Sequence, residues 1–198
     1  MDPFGGLSAV RRVDVDLITD AYRISGTVQT RFGRVTDILN QLTGTHLTVE
    51  SAKITEHADP SGTLAAPSAS VDLASILLMT ALELAGGASS EMRIPKGAVR
   101  AQVALPPIRV TGTIHVPIGS RPLDGLLNVV DRFLAMTDVT IASGAHPALG
   151  RSAEVVAIGR TRAQFFLVAD DERPDELLAD VLDERTAEAW LRTDDDQP

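Results

Sequence analysis

Cysteine is absent from the 198 residues, which removes disulfides, thiolate-ligated zinc, iron–sulfur clusters and thiol catalysis together. Aromatic side chains are scarce. One Trp, one Tyr and five Phe are too few for the stacked-ring platform used by single-strand nucleic-acid binders. Lysine is nearly missing as well, Lys53 and Lys96 standing against a large excess of arginine, a bias typical of GC-rich coding. No apolar run approaches the roughly 18 residues that a membrane-spanning helix needs. The first residues also lack the charged-then-apolar layout of a secretory leader. The expectation is a cytoplasmic protein without membrane insertion.

Catalytic signatures are missing too. There is no G-x-S-x-G elbow, phosphate-binding loop, dinucleotide fingerprint or H-E-x-x-H. His46, His57, His115 and His146 are scattered without metal-type spacing. No cofactor and no metal are expected, and no enzymatic activity. His115 reads as a polar residue on a strand face. Asp14 and Asp16, two residues apart, read as the solvent face of an amphipathic strand.

The net charge of −9 is confined to one place. Residues 170–198 hold 12 acids against three arginines, whereas residues 1–169 hold 15 of each sign. A neutral body and an acidic tail offer no broad electrostatic footprint to a phosphate backbone.

What is present is a repeat. Residues 22–33 (YRISGTVQTRFG) and 108–119 (IRVTGTIHVPIG) align at an offset of 86, with Arg23/Arg109, Gly26/Gly112, Thr27/Thr113 and Gly33/Gly119 identical. Ser120 is one extra residue, after which Arg34/Arg121, Asp37/Asp124, Leu39/Leu126, Leu47/Leu134 and Ile54/Ile141 match at 87. Each copy starts with alternating apolar and polar residues, Val13 to Ile18 and Val99 to Leu105, which predicts a strand. Turns at Thr19-Asp20-Ala21 and Pro106-Pro107 lead into a second strand interrupted by Gly26 or Gly112, where a bend or bulge is expected. Short helices follow, over 34–42 and 121–131, with Pro122 suited to a first helical turn. Arg34/Asp37 and Arg121/Asp124 are spaced for helix-surface ion pairs. Alternation returns at Leu47, Val49, Ala52 and Ile54, and at Leu134, Met136, Val139 and Ile141. Loops are expected over 57–70 and 144–151. Residues 155–168 read as two strands hinged at Gly159 to Arg162. For 73–84 the propensity favours helix and the repeat favours strands; the repeat is followed.

The fold class expected is therefore mainly β: a tandem duplication of a small barrel with short helical excursions, plus a C-terminal amphipathic helix. The first repeat spans 9–87, the second 97–169, and the acidic tail 170–198. The order of elements resembles SH3-like and Sm-like barrels in outline. Gly26, Asp37, Asn40 and Leu47, with Gly112, Asp124, Asn128 and Phe133, are similar to the Sm pattern, as is the closing Ile158-Gly-Arg. Both copies insert extra residues between the glycine and the Asp. The string from Arg109 through His115, Arg121-Pro-Leu-Asp and Arg132-Phe-Leu-Ala-Met-Thr-Asp also resembles an uncharacterised bacterial domain family, which implies architecture and no chemistry.

In the tail, Pro174 and the acids Asp175 and Glu176 suit a helix start. Leu177, Leu178, Val181, Leu182, Ala189 and Trp190 then form an apolar stripe. That stripe packs on its own barrel or presents Leu178, Val181, Leu182 and Trp190 to a partner. The leading reading is a non-enzymatic protein-interaction or assembly protein, self-associating or binding another protein. The alternative is an Sm-like nucleic-acid-binding module; a small hydrolase or ligand-binding enzyme ranks third.

Overall fold

Strict alternation makes Val13, Val15 and Leu17 face inward along the first strand, β1 (Arg11–Ile18), with Arg12 and Asp14 exposed between and beside them. A tight turn, closed by the Thr19 amide donating to the Tyr22 carbonyl at 2.9 Å, returns the chain as β2 (Tyr22–Thr30). The computed structural model describes residues 9–81, 96–118, 121–127 and 130–168. After β2 come α1 (Val35–Asn40), β3 (His46–Glu56), β4 (Thr63–Asp72), a 3-10 turn at Leu73–Ser75, and β5 (Leu78–Ala81). The second half runs β6 (Lys96–Leu105), β7 (Ile108–Pro117), α2 (Pro122–Leu127) and β8 (Phe133–Ala142). It continues through 3-10 turns at Pro147–Leu149 and Arg160–Arg162, which bracket β9 (Arg151–Gly159), to β10 (Phe165–Val168). The acidic tail lies outside the described residues, and with it the stripe of Leu178, Val181, Leu182 and Trp190.

All ten strands belong to one antiparallel sheet in the order β10-β6-β7-β8-β9-β5-β1-β2-β3-β4. The expected barrels are not closed: among the described strands, β4 and β10 each have a single hydrogen-bonded neighbour. The reason is competition for an edge. The free side of β5, which would have to meet β4 to close the first half, is taken by β9.

Two glycines bend the sheet. The β2–β3 register shifts between Ser25 and Thr27, and the β7–β8 register between Thr111 and Thr113. A Cβ on Gly26 would lie 2.5 Å from the Glu50 carbonyl oxygen and 2.6 Å from Val49 Cγ1. On Gly112 it would lie 2.8 Å from the Thr137 carbonyl oxygen and 2.9 Å from Val139 Cγ2. Opposite these bends Ser51 and Asp138 take positive φ, 50° and 53°, the geometry of an extra residue bulged out of the partner strand. This is why the buried positions skip from Val49 to Ala52 and from Met136 to Val139.

Two cores result. One gathers Val13, Val15, Leu17, Ile24, Val28, Leu39, Leu47 and Met79; the other gathers Val103, Leu105, Val110, Ile114, Met136, Ile141 and Ile158. Strands at the middle of the sheet serve both. Leu17, Met79 and Ala157 enter the first core, whereas Ile18, Leu78 and Ile158 enter the second. A strand buried on both faces has no polar phase. That explains the unbroken apolar run around β5; of the strands expected over 73–84, Leu78–Ala81 is strand, Leu73–Ser75 is a 3-10 turn, and 82–84 lie outside the described residues.

Other expectations need correcting. The loop expected over 57–70 is mostly β4, whose small exposed residues and Pro67 fit an edge strand. The helices are shorter than expected. Neither Arg34–Asp37 nor Arg121–Asp124 is an ion pair. Those of the described residues are Arg12–Glu50, Arg23–Asp16, Arg151–Asp16 and Arg162–Asp20. Arg34 precedes α1 in extended conformation and contributes its carbonyl to the Ile38 amide.

Candidate interaction surface

The halves meet where β5 pairs with β9, Leu78 opposite Ile158 and Met79 opposite Ala157. The ladder is extended by the Gly159 amide donating to the Leu77 carbonyl at 2.8 Å, and Leu77 is tied to β1 by its own amide donating to the Ile18 carbonyl at 2.9 Å. Side chains then lock the joint. Asn40, at the end of α1, donates from Nδ2 to the Phe133 carbonyl at 2.9 Å and accepts the Phe133 amide at 3.0 Å. Arg132 Nη2 donates to the Leu42 carbonyl at 3.0 Å and the Leu39 carbonyl at 3.4 Å, carbonyls that the end of α1 leaves without a helical partner. Arg162 pairs with Asp20.

The strongest charge cluster spans the same joint. Asp16 accepts from Arg23 Nε at 3.0 Å on Oδ1 and 3.2 Å on Oδ2, and from Nη2 at 2.9 Å. Its Oδ2 also lies 2.9 Å from Arg151 Nη2 on β9. The Asp16 side chain is only 15% exposed, so it is not the solvent-face residue its strand alternation suggests. Its second partner comes from the other half of the chain, which local pattern cannot report. Hydrogen bonding to Asp16 raises the Arg23 pKa above its ordinary value. Burial is the larger influence on Arg151 and lowers its pKa against the pull of Asp16. Arg151 Nη1 is buried without a hydrogen-bond partner. Asp14 accepts from the Thr27 hydroxyl at 2.8 Å.

Among the described residues, an open groove of about 1110 Å³ lies beside Thr80 and Ala81 of β5. Arg23, Lys53 and Arg151 line it, and so do Asp14, Asp16 and Glu154. Cations and carboxylates balance there, so the groove presents no net charge to a phosphate chain. The histidines do not converge on a metal. His57 is buried with Nε2 3.0 Å from the Thr19 carbonyl, and its ring lies 5.5 Å from that of His146. His115 is exposed and bonded to Thr137. Among the described residues no group of three or more His, Asp or Glu is placed to hold a metal ion. Nor is any helix of these residues long and apolar enough to cross a membrane.

The two sheet edges complete the surface. On β4, Leu64 is 70% exposed; on β10, Phe165 is 44% and Leu167 38% exposed. Natural edge strands are guarded by lysines, inward-pointing charges or prolines. β4 has Pro67 but no lysine, and its one charge is the terminal Asp72; β10 has no charge at all. Sequence reasoning missed β4 as an edge because its residues are small and polar, like those of a loop. The chain matches no protein-family model, no curated protein and no solved structure.

Proposed function

We propose that the chain is a tandem duplication of one five-stranded unit and acts as a non-enzymatic assembly protein, engaging protein partners by strand addition at β4 and β10. The observation that carries this reading is the pair of edges, unguarded among the described residues, that bear Leu64, Phe165 and Leu167. An unpaired strand supplies backbone donors and acceptors for affinity and alternate side chains for specificity.

The duplication is supported by the strand registers. Pairings of the first half recur in the second, with 86 added to residues before the extra Ser120 and 87 after it. Ser25↔Lys53 and Thr27↔Glu50 become Thr111↔Thr140 and Thr113↔Thr137. Leu47↔Val71 and Ile54↔Leu64 become Leu134↔Ile158 and Ile141↔Arg151. Ile18↔Leu78 and Val15↔Ala81 become Ala104↔Phe165 and Ala101↔Val168. Within each unit the spatial order is fifth, first, second, third, fourth strand.

Amide hydrogen exchange on the full chain tests the assembly role, at rising protein concentration and with host proteins added. Slowed exchange confined to amides of β4 and β10 is expected. Protection elsewhere, or none, refutes strand addition. Salt-sensitive retention on RNA with protection at the groove instead would favour the nucleic-acid reading.

A further inference from the structure

We infer that the partner at these edges is a second copy of this chain, bound head to tail, with β10 of one molecule pairing antiparallel to β4 of the next. This rests on the duplicated-unit reading. The molecule already contains one such junction. The ladder between its halves joins the fifth strand of the first unit, β5, to the fourth strand of the second, β9. Among the described strands, the edges left unpaired are the other fifth strand, β10, and the other fourth strand, β4. Each end therefore displays the half of the junction that the opposite end lacks. Such an interface is heterologous: it uses two different surfaces and propagates into a ring or a filament.

The internal junction dictates the register. Leu78↔Ile158 and Met79↔Ala157 translate into Phe165↔Val71 and Phe166↔Ser70 between molecules. The flanking bond from the Gly159 amide to the Leu77 carbonyl translates into Asp72 donating to Gln164. Leu78 is fully buried at the internal junction, whereas its counterpart Phe165 is 44% exposed in the single chain. Pairing with β4 gives that ring a neighbour.

Charge distinguishes the two junctions. Asp16 and Arg151 correspond to Gln102 and Leu64, while Asp20 and Arg162 correspond to Pro106 and Ser75. No counterpart of an internal ion pair crosses between molecules. The contact is held by backbone bonds and apolar side chains, so added salt leaves it intact.

Because the chain has no cysteine, the register can be tested by disulfide trapping. Full-length S70C and F166C are prepared separately, checked for unchanged urea midpoints, mixed and oxidised. A cross-linked dimer is expected from the mixture and from neither variant alone. T63C mixed with F166C, out of register, should stay uncross-linked. Should F166C fail to fold, A69C with L167C probes the next rung of the same ladder. F165K should weaken association about tenfold through loss of the apolar ring that faces Val71 of the next molecule, and association should survive high salt. Self-cross-linking of S70C, equal trapping of T63C, or dissociation by salt would each overturn the head-to-tail pairing. So would an uncross-linked mixture. If edge amides are nevertheless protected by a host protein, strand addition stands and only the second copy falls.

Discussion

Replacing Asp16 by Ala removes the carboxylate that both Arg23 and Arg151 use, and the two arginines respond differently. Arg23 is 45% exposed, so its guanidinium returns to water and the loss is about 0.5 kcal/mol, typical of an exposed pair. Arg151 is 20% exposed, and its pKa is already lowered by burial. Losing its counter-ion leaves a desolvated cation with an unsatisfied Nη1. A fully buried pair broken this way costs roughly 3–5 kcal/mol, and the open groove reduces that to about 2 kcal/mol. Arg151→Met is milder, about 1 kcal/mol or less, since Asp16 keeps Arg23 and the new side chain is apolar. In the double variant the stranded charge is gone, so the total should stay near that of Arg151→Met alone. The coupling is then about 2 kcal/mol. Urea unfolding at neutral pH with an unchanged m-value measures it, because a shift in midpoint then reports stability alone. An Asp16→Ala loss under about 0.5 kcal/mol, or strictly additive effects, would refute the idea that this cluster joins the halves.

Three further outcomes follow from the geometry. Gly26→Ala should cost about 3 kcal/mol and Gly112→Ala about 2, the upper part of the overpacking range, since the first clash is closer; equal thermal stability to the parent would contradict both. Asn40→Ala should cost about 2 kcal/mol by orphaning the Phe133 amide and carbonyl, with Asn40→Asp intermediate in calorimetry because it keeps the acceptor. The Asp59 carboxyl titrates below its ordinary 3.8 because the Ser61 hydroxyl and then the Ser61 amide donate to it. A depressed folded value stabilises the fold above the unfolded pKa, and that contribution is lost as pH falls through the folded pKa. Ser61→Ala should move the Asp59 midpoint up toward 3.8 in an NMR titration; an unmoved midpoint would show that Ser61 is not the cause.

Local chemistry wrote much of the fold into the chain. Alternation at Val13, Val15 and Leu17 placed a half-buried strand, and Gly26 and Gly112 marked the bends where any Cβ would meet the next strand. The three-residue step from Val49 to Ala52, and from Met136 to Val139, carried the trace of a bulge. Pro122 opened a helix where its missing amide costs nothing. The candidate surface was less legible. Leu64 reads as part of a loop, and Phe165 and Leu167 as members of an ordinary closing strand, until the strand order shows that β4 and β10 are edges among the described strands.

Periodicity reports which face of a strand is buried, because side chains alternate and water sorts them. It carries no information about which hydrogen-bonding edge meets which, because backbone amides and carbonyls are the same at every residue. The sequence by itself therefore determined the mainly β character of this protein, most of its strands and the positions of the two glycine bends. Only tertiary structure decided that β5 pairs with β9, that Asp16 shares its charge with Arg151, and that β4 and β10 are the outer strands among those described. Those choices come from competition between distant strands for a single free edge, and that competition is settled when the whole sheet packs over its two cores.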